Sequence, residues 1–317
     1  MSLMKHTTGI HHITALVGNP QENVDFYSGV LGLRLVKKTV NFDDPGTYHL
    51  YFGNEEGAPG TIMTFFPWSN AQKGRIGSGQ VGVTSFVIPG GSIGFWKERL
   101  EKFEVNYNER KRFGENLLEF DDPHGLHLEL VEREEGERNT WNFGGVDSPN
   151  AIKGFAGATL LSGQPEATNN VLEDLLGFKR VSEEGDFIRF KSSGSIGNTV
   201  DVKKTSLPSG SLGSGTVHHI AWRANDFDDH ESWKELIEDK GYNPTPVIDR
   251  QYFNAVYFRE EGGILFEIAT DPPGFAKDED SEEMGKDLLL PPWLEDKRTQ
   301  IENILEPAQA RVLEGDK

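Results

Sequence analysis

Apolar positions along the chain fall into the same order four times. A strand-like run is followed by a helical stripe and then by further strand-like runs. In the first copy, the run Ile10-His11-His12-Ile13-Thr14-Ala15 precedes a stripe of Val24, Phe26, Tyr27, Val30 and Leu31. Pro20 suits the first turn of that helix and Gly32 its end. Strands are predicted over 33–36, 48–52 and 61–66. The second copy predicts a strand over 81–88 and a helix marked by Ile93, Phe95, Trp96, Leu100 and Phe103. Its strands cover 107–112, 116–120 and 126–131, with Pro123-His124-Gly125 turning into the last of them. The third copy predicts a strand over 154–161, then a helix carrying Val171, Leu172, Leu175 and Leu176, closed by Gly177. The fourth opens on Val217-His218-His219-Ile220-Ala221-Trp222 and carries Trp233, Leu236 and Ile237 on its helix. It ends with strands over 252–258 and 263–269.

The pattern predicts an α+β fold of four βαβββ modules paired into two curved-sheet pseudo-barrels, since no single module can bury its own face. The expected organisation is an N-terminal pair within residues 1–140 (modules 9–68 and 79–132) and a C-terminal pair within 151–270 (modules 151–204 and 215–270). A polar stretch, 133–150, reads as the linker. Residues 271–317 form an acidic tail in which Ile301, Ile304 and Leu305 predict a short helix.

Charge and composition narrow the partners. The 317 residues carry a formal charge of -19, which argues against nucleic acid and anionic membranes. There is no cysteine, so disulfides, thiolate metal sites and cysteine nucleophiles are excluded. No apolar run is long enough for a membrane helix, and the first residues lack the apolar core of a secretion signal. A cytoplasmic protein is expected, with room for a homo-oligomer.

The chemistry lies in the paired histidines. Aligning the copies gives one first-strand and one last-strand position in each: His12 and Thr64, Val83 and Glu129, Gly157 and Asp201, His219 and Glu267. If the first and fourth modules pair, one cavity holds His12, His219 and Glu267. If consecutive modules pair, His219, Glu267 and Asp201 share one cavity, and His12 and Glu129 the other. The first pairing is preferred because it uses both His-His strands in one site. Strand side chains alternate faces, so only one histidine of each pair enters the cavity, and alignment on the following isoleucine selects the second. A lone buried histidine is most often a hydrogen-bonded core residue. Two pairs at equivalent repeat positions, with Glu267 inside the apolar run 264–268, favour a ligand set instead. Two imidazoles and a carboxylate with open positions suit non-haem Fe(II).

The chain resembles the vicinal oxygen chelate superfamily of glyoxalase I, bleomycin-resistance proteins and extradiol dioxygenases. Within it, Gly9-Ile10-His11-His12-Ile13-Thr14, Tyr48-His49-Leu50-Tyr51-Phe52-Gly53, Pro59-Gly60-Thr61-Ile62-Met63-Thr64-Phe65-Phe66-Pro67 and Pro273-Gly274-Phe275 are similar to hydroquinone-type ring-cleaving dioxygenases, including the bacillus methylhydroquinone-resistance group. The resemblance implies Fe(II), held by His12, His219 and Glu267, with zinc, nickel or manganese as replacements in a purified sample. It implies a small aromatic diol and dioxygen as substrates, with detoxification of quinones as the setting. It places Arg250 and Tyr257 near the ring and His11, Thr14 and His218 as polar neighbours of the metal. Tyr257 and Arg250 are then expected to steady a developing oxyanion. Two other readings are weighed: a glyoxalase-like lyase or isomerase, disfavoured because the fourth ligand position is Thr64, and a metal-free protein that binds an aromatic antibiotic.

Overall fold

The strand-helix-strand order of each repeat is realised in the computed structural model, which describes residues 5–317. The first unit comprises β1 (Ile10–Val17), α1 (Pro20–Val24, continued by a π-helical turn, Asp25–Val30), β2 (Arg34–Asn41), β3 (Asp44–Gly53) and β4 (Ile62–Pro67). The second comprises β5 (Gln80–Ile88), α2 (Ile93–Lys102), β6 (Tyr107–Arg112), β7 (Glu115–Asp121) and β8 (His127–Glu132). The third comprises β9 (Gly154–Leu161), α3 (Pro165–Asn170, continued by a π-helical turn, Val171–Leu175), β10 (Lys179–Glu184), β11 (Phe187–Lys191) and β12 (Thr199–Lys203). The fourth comprises β13 (Thr216–Ala224), α4 (Phe227–Asp239), the two-residue β14 (Ile248–Asp249), β15 (Phe253–Arg259) and β16 (Leu265–Pro273). The π-helical turns explain why the apolar stripe on α1 only approximates the usual spacing. The wider turn brings Phe26, Tyr27 and Val30 together onto the core. Asn19 caps α1 by accepting from the backbone N–H groups of Gln21 and Glu22.

The units assemble into two eight-stranded sheets. One runs β14-β15-β16-β13-β1-β4-β3-β2 and joins the fourth unit to the first. The other runs β10-β11-β12-β9-β5-β8-β7-β6 and joins the third to the second. Each sheet therefore takes one unit from each half of the chain, through the antiparallel seams β1/β13 and β5/β9. A shared core that includes Trp96, Trp222, Trp233, Phe86 and Phe155 lies behind the sheets. No helix among the described residues is long and apolar enough to cross a membrane.

Where strand lengths differ from the sequence pattern, polar residues are satisfied by the tail. β2 runs five residues past the predicted end, through Lys37, Lys38 and Thr39, all buried. The Lys37 ammonium is wholly buried and pairs with Asp278 at 2.7 Å and with Glu279. Lys38 donates to the carbonyl oxygens of Lys286 and Ala308. The acidic run thus neutralises a strand that reads as too polar to be interior. Replacing Asp278 and Glu279 together with Ala strands a buried charge and is expected to cost about 3 kcal/mol, read as a drop in the urea midpoint. Adding Lys37→Met to that double variant is expected to recover most of the loss. An unchanged midpoint in the double variant contradicts this account of the tail. The stretch 133–150 is likewise docked: Val146 is buried, the Arg34 guanidinium lies 4.7 Å from the Trp141 ring centroid, and Arg133 pairs with Glu115.

Candidate metal centre

Strand register brings together residues from the two ends of the chain. His12 lies opposite Ala221 across β1/β13, and Ala221 lies beside Glu267 across β13/β16. His219 lies opposite Thr14, two residues along β13 from Ala221 and therefore on the same face. The result is a tight triangle of donor atoms. His12 Nε2 and His219 Nε2 are 3.2 Å apart, and Glu267 Oε2 lies 3.3 Å from the first and 2.9 Å from the second. All three side chains are buried.

Neither Glu267 oxygen accepts a hydrogen bond of ordinary geometry, although the side chain is fully buried. A carboxylate in that position is costly unless a cation or donor meets it. Three cis donors of an octahedral ion bound at about 2.2 Å stand about 3.1 Å apart, so the triangle fits such an ion. The second sheet makes the contrast. Its equivalent carboxylates, Glu129 and Asp201, are met by arginines. Arg112 donates to both Glu129 oxygens at 2.8 Å, Arg189 holds Asp201 at 2.7 and 2.9 Å, and Ser85 donates to Glu129. The space among them is about 10 Å³. One cup is closed by ion pairs, and the other presents two imidazoles to a carboxylate.

The histidine beside each of the two has its own place. His11 Nε2 lies 3.1 Å from the Thr270 carbonyl oxygen, which can only accept. Burial foremost, with His12 adding to it, pushes the His11 ring well below its ordinary pKa, so it is neutral and its Nδ1 carries a lone pair. The His12 Nδ1 facing it at 2.9 Å then holds the shared proton, which leaves the His12 Nε2 lone pair aimed at the carboxylate. The second pair repeats the Nδ1-to-Nδ1 contact, between His218 and His219 at 2.8 Å. Burial lowers His219 as well and, helped by the neighbouring His219 ring, takes His218 down to about 3.

Tyr257 and Arg250 stand beside this triangle. Tyr257 is the register partner of Glu267, and its ring centroid is 5.5 Å from that of His219. Burial, reinforced by Glu267, raises the Tyr257 hydroxyl far above its ordinary value, so it stays protonated. Arg250 Nε lies 3.3 Å from the Tyr257 hydroxyl, and its Nη1 pairs with Asp43 at 2.9 Å. Thr14 is buried, and its hydroxyl is committed to that of Thr64 at 3.0 Å rather than to the triangle. A cavity of about 230 Å³ opens on the His12 and His219 imidazoles and is walled by Tyr257, Arg250, His49, Tyr51 and the apolar Phe66 and Leu265. A larger cleft of about 1040 Å³ lies between α1 and the β6–β8 edge, away from the triangle. The donor chemistry, not size, makes the smaller one the candidate site.

Sequence reasoning assigned no role to His49, Tyr51, Asp43 or Phe253. His49 and Tyr51 belong to a stretch whose likeness to the hydroquinone dioxygenases is visible, and their shared face follows from strand alternation. Asp43 carries no such signal. Phe253 lies under His12, with centroids 4.9 Å apart.

Five histidines whose rings burial holds neutral, His11, His49, His218, His219 and His230, give the metal-free protein a pH signature. Their folded pKa values lie below the unfolded value, so the unfolded chain binds protons first as pH falls. Stability is then full above about pH 6.5 and falls below it, by about 1.4 kcal/mol per pH unit for each ring that stays neutral. Urea unfolding at pH 7 and 5.5 reads the slope, and equal stabilities contradict it.

Comparison with known proteins matches residues 9–130 and 154–268 to the model of the Glyoxalase/Bleomycin resistance protein/Dioxygenase superfamily. The chain is 64% identical over 312 residues to the Bacillus subtilis (strain 168) protein called "Putative ring-cleaving dioxygenase MhqO", covering 98% of this chain and 100% of that one. It is 35% identical over 313 residues to the chlorohydroquinone/hydroquinone 1,2-dioxygenase of Sphingobium indicum, covering 95% and 97%. A crystal structure described as a "putative dioxygenase" from Bacillus subtilis superposes with a TM-score of 0.97 at 65% identity, covering 98% of this chain and 100% of that one.

Proposed function

From the premise that the chain belongs to the Glyoxalase/Bleomycin resistance protein/Dioxygenase superfamily, we propose that it is a ring-cleaving dioxygenase of the non-haem Fe(II), extradiol type, acting on hydroquinone-like aromatic diols. The observation that carries this reading is the fully buried Glu267 carboxylate, whose Oε2 stands 3.3 Å from His12 Nε2 and 2.9 Å from His219 Nε2, beside a cavity with room for one aromatic ring. His12, His219 and Glu267 hold the metal. When bound, Fe(II) supplies an electronic path between an ionised ring hydroxyl and dioxygen.

The chain's own groups do the rest. His11, fixed by the Thr270 carbonyl, holds the His12 ring in the tautomer that presents Nε2. With His219 Nε2 as a ligand, its Nδ1–H donates to His218 Nδ1, and the single proton of the neutral His218 ring sits on Nε2. That makes His218 a hydrogen-bond donor to the bound ring rather than a base. Tyr257 keeps its proton and donates to the oxygen on which negative charge develops, while the Arg250 cation beside it strengthens that donation. The Asp43–Arg250 pair closes over the cavity from the β2–β3 hairpin. The apolar walls exclude water. The product is a ring-opened acid.

The test is anaerobic loading with Fe(II), Mn(II), Ni(II) or Zn(II), then oxygen uptake with hydroquinone, methylhydroquinone and catechol. Uptake is expected with iron and a hydroquinone. A glyoxalase-like lyase would instead work with nickel or zinc and consume no dioxygen.

A further inference from the structure

The cavity wall facing the metal ligands carries a polar chain that the chemistry above does not use. Tyr51 OH lies 2.8 Å from His49 Nδ1, and His49 Nε2 lies 2.7 Å from Thr64 Oγ1. Thr64 Oγ1 lies 3.0 Å from Thr14 Oγ1. Both threonines are buried, and Tyr51 and His49 line the cavity, the His49 ring resting on Tyr51 with centroids 4.0 Å apart and on Phe66 with centroids 4.4 Å apart.

Sheet order sets the direction. The ligands stand on the adjacent strands β16, β13 and β1, with Tyr257 on β15 just outside them. His49 and Tyr51 stand on β3, with β4 between them and the nearest ligand strand. That is two strand spacings, about 10 Å, from β1. A single aromatic ring anchored by one oxygen at the ligand side extends toward β3.

Each link of the chain holds one proton, so its hydrogen bonds can run in only two directions. In one, His49 Nδ1 accepts the Tyr51 hydroxyl proton and the Tyr51 oxygen faces the cavity as an acceptor. In the other, His49 Nδ1 donates to Tyr51, and the Tyr51 hydroxyl donates into the cavity. Burial keeps the His49 ring neutral, with one donor and one acceptor, and both directions suit that state. The Tyr51 oxygen can thus accept from a ring hydroxyl or donate to the same oxygen after that proton is lost.

Resting on the ring-cleavage reading, we infer that Tyr51, positioned by His49, is the group that binds the second hydroxyl of the diol, the one remote from the metal ligands. The substrates this favours are para-dihydroxybenzenes, whose two oxygens lie at opposite ends of the ring. A monophenol leaves Tyr51 without its partner.

The experiment is anaerobic binding of hydroquinone and of phenol to the Fe(II)-loaded protein, followed by calorimetry, with dioxygen uptake measured separately. The wild type is expected to bind hydroquinone about tenfold more tightly than phenol, because a site built around a hydroxyl rejects the analogue lacking it. In Tyr51→Phe, which keeps the ring and the packing, the ratio is expected to fall below about threefold while phenol affinity stays within about twofold. His49→Phe is expected to shift the ratio in the same direction. A full hydroquinone preference in Tyr51→Phe, or none in the wild type, overturns the inference. Preference without dioxygen uptake by the wild type overturns the proposed reaction and leaves the Tyr51 contact standing.

Discussion

Glu267→Gln is expected to lose iron and all measurable dioxygen uptake while folding at least as stably as the wild type in the absence of metal. The two effects have opposite signs for one reason. Glu267 is fully buried, and neither oxygen accepts a hydrogen bond. As a structural residue the carboxylate is a burden, because a buried charge without donors costs several kcal/mol in desolvation. The amide removes that charge at nearly constant shape. As a ligand, however, the amide is neutral and weak. Loss of an outer partner alone typically costs 10- to 100-fold in metal affinity, and loss of the anionic ligand is expected to exceed about 100-fold. Anaerobic iron titration, oxygen uptake and urea unfolding on the same preparation read all three. A variant that keeps iron, or one that unfolds more easily without it, contradicts the assignment. Glu129→Gln in the second sheet supplies the contrast. It breaks the two-bond Arg112 pair, so stability falls and iron binding stays.

Much of this site is legible in the sequence because it rests on repetition. Val217-His218-His219-Ile220 and Ile10-His11-His12-Ile13 fall at one position of a recurring unit, and strand alternation selects one histidine from each. The apolar neighbours of Glu267 mark it as interior. Which units pair is a long-range fact that local pattern leaves open, and the β1/β13 seam answers it. Other features escape the pattern because their partners are distant in the chain. Lys37 reads as a surface residue until Asp278, 241 positions away, is seen beside it. Asp43 reads as part of a turn until Arg250 reaches it. His49 and Tyr51 alternate with Tyr48, Leu50 and Phe52, so only the curvature of the sheet shows which face lines the cavity.

Tyr257→Phe is expected to lower kcat by about 10² to 10³-fold, the range for removing one preorganised donor to a developing oxyanion. KM for hydroquinone and iron content are expected to change little, because the ring stays packed against His219 and contributes no metal ligand. The loss should appear equally in kcat and kcat/KM, the pattern of an interaction made in the transition state. An unchanged kcat leaves Tyr257 as a wall of the cavity and moves the donor role to His218 Nε2.

The most direct test of the account is the anomalous iron signal from crystals grown anaerobically with Fe(II). The expected result is one peak per chain, about 2.2 Å from His12 Nε2, His219 Nε2 and a Glu267 oxygen. A peak among Glu129, Asp201 and their arginines, or a position that leaves out one of the three side chains, contradicts it.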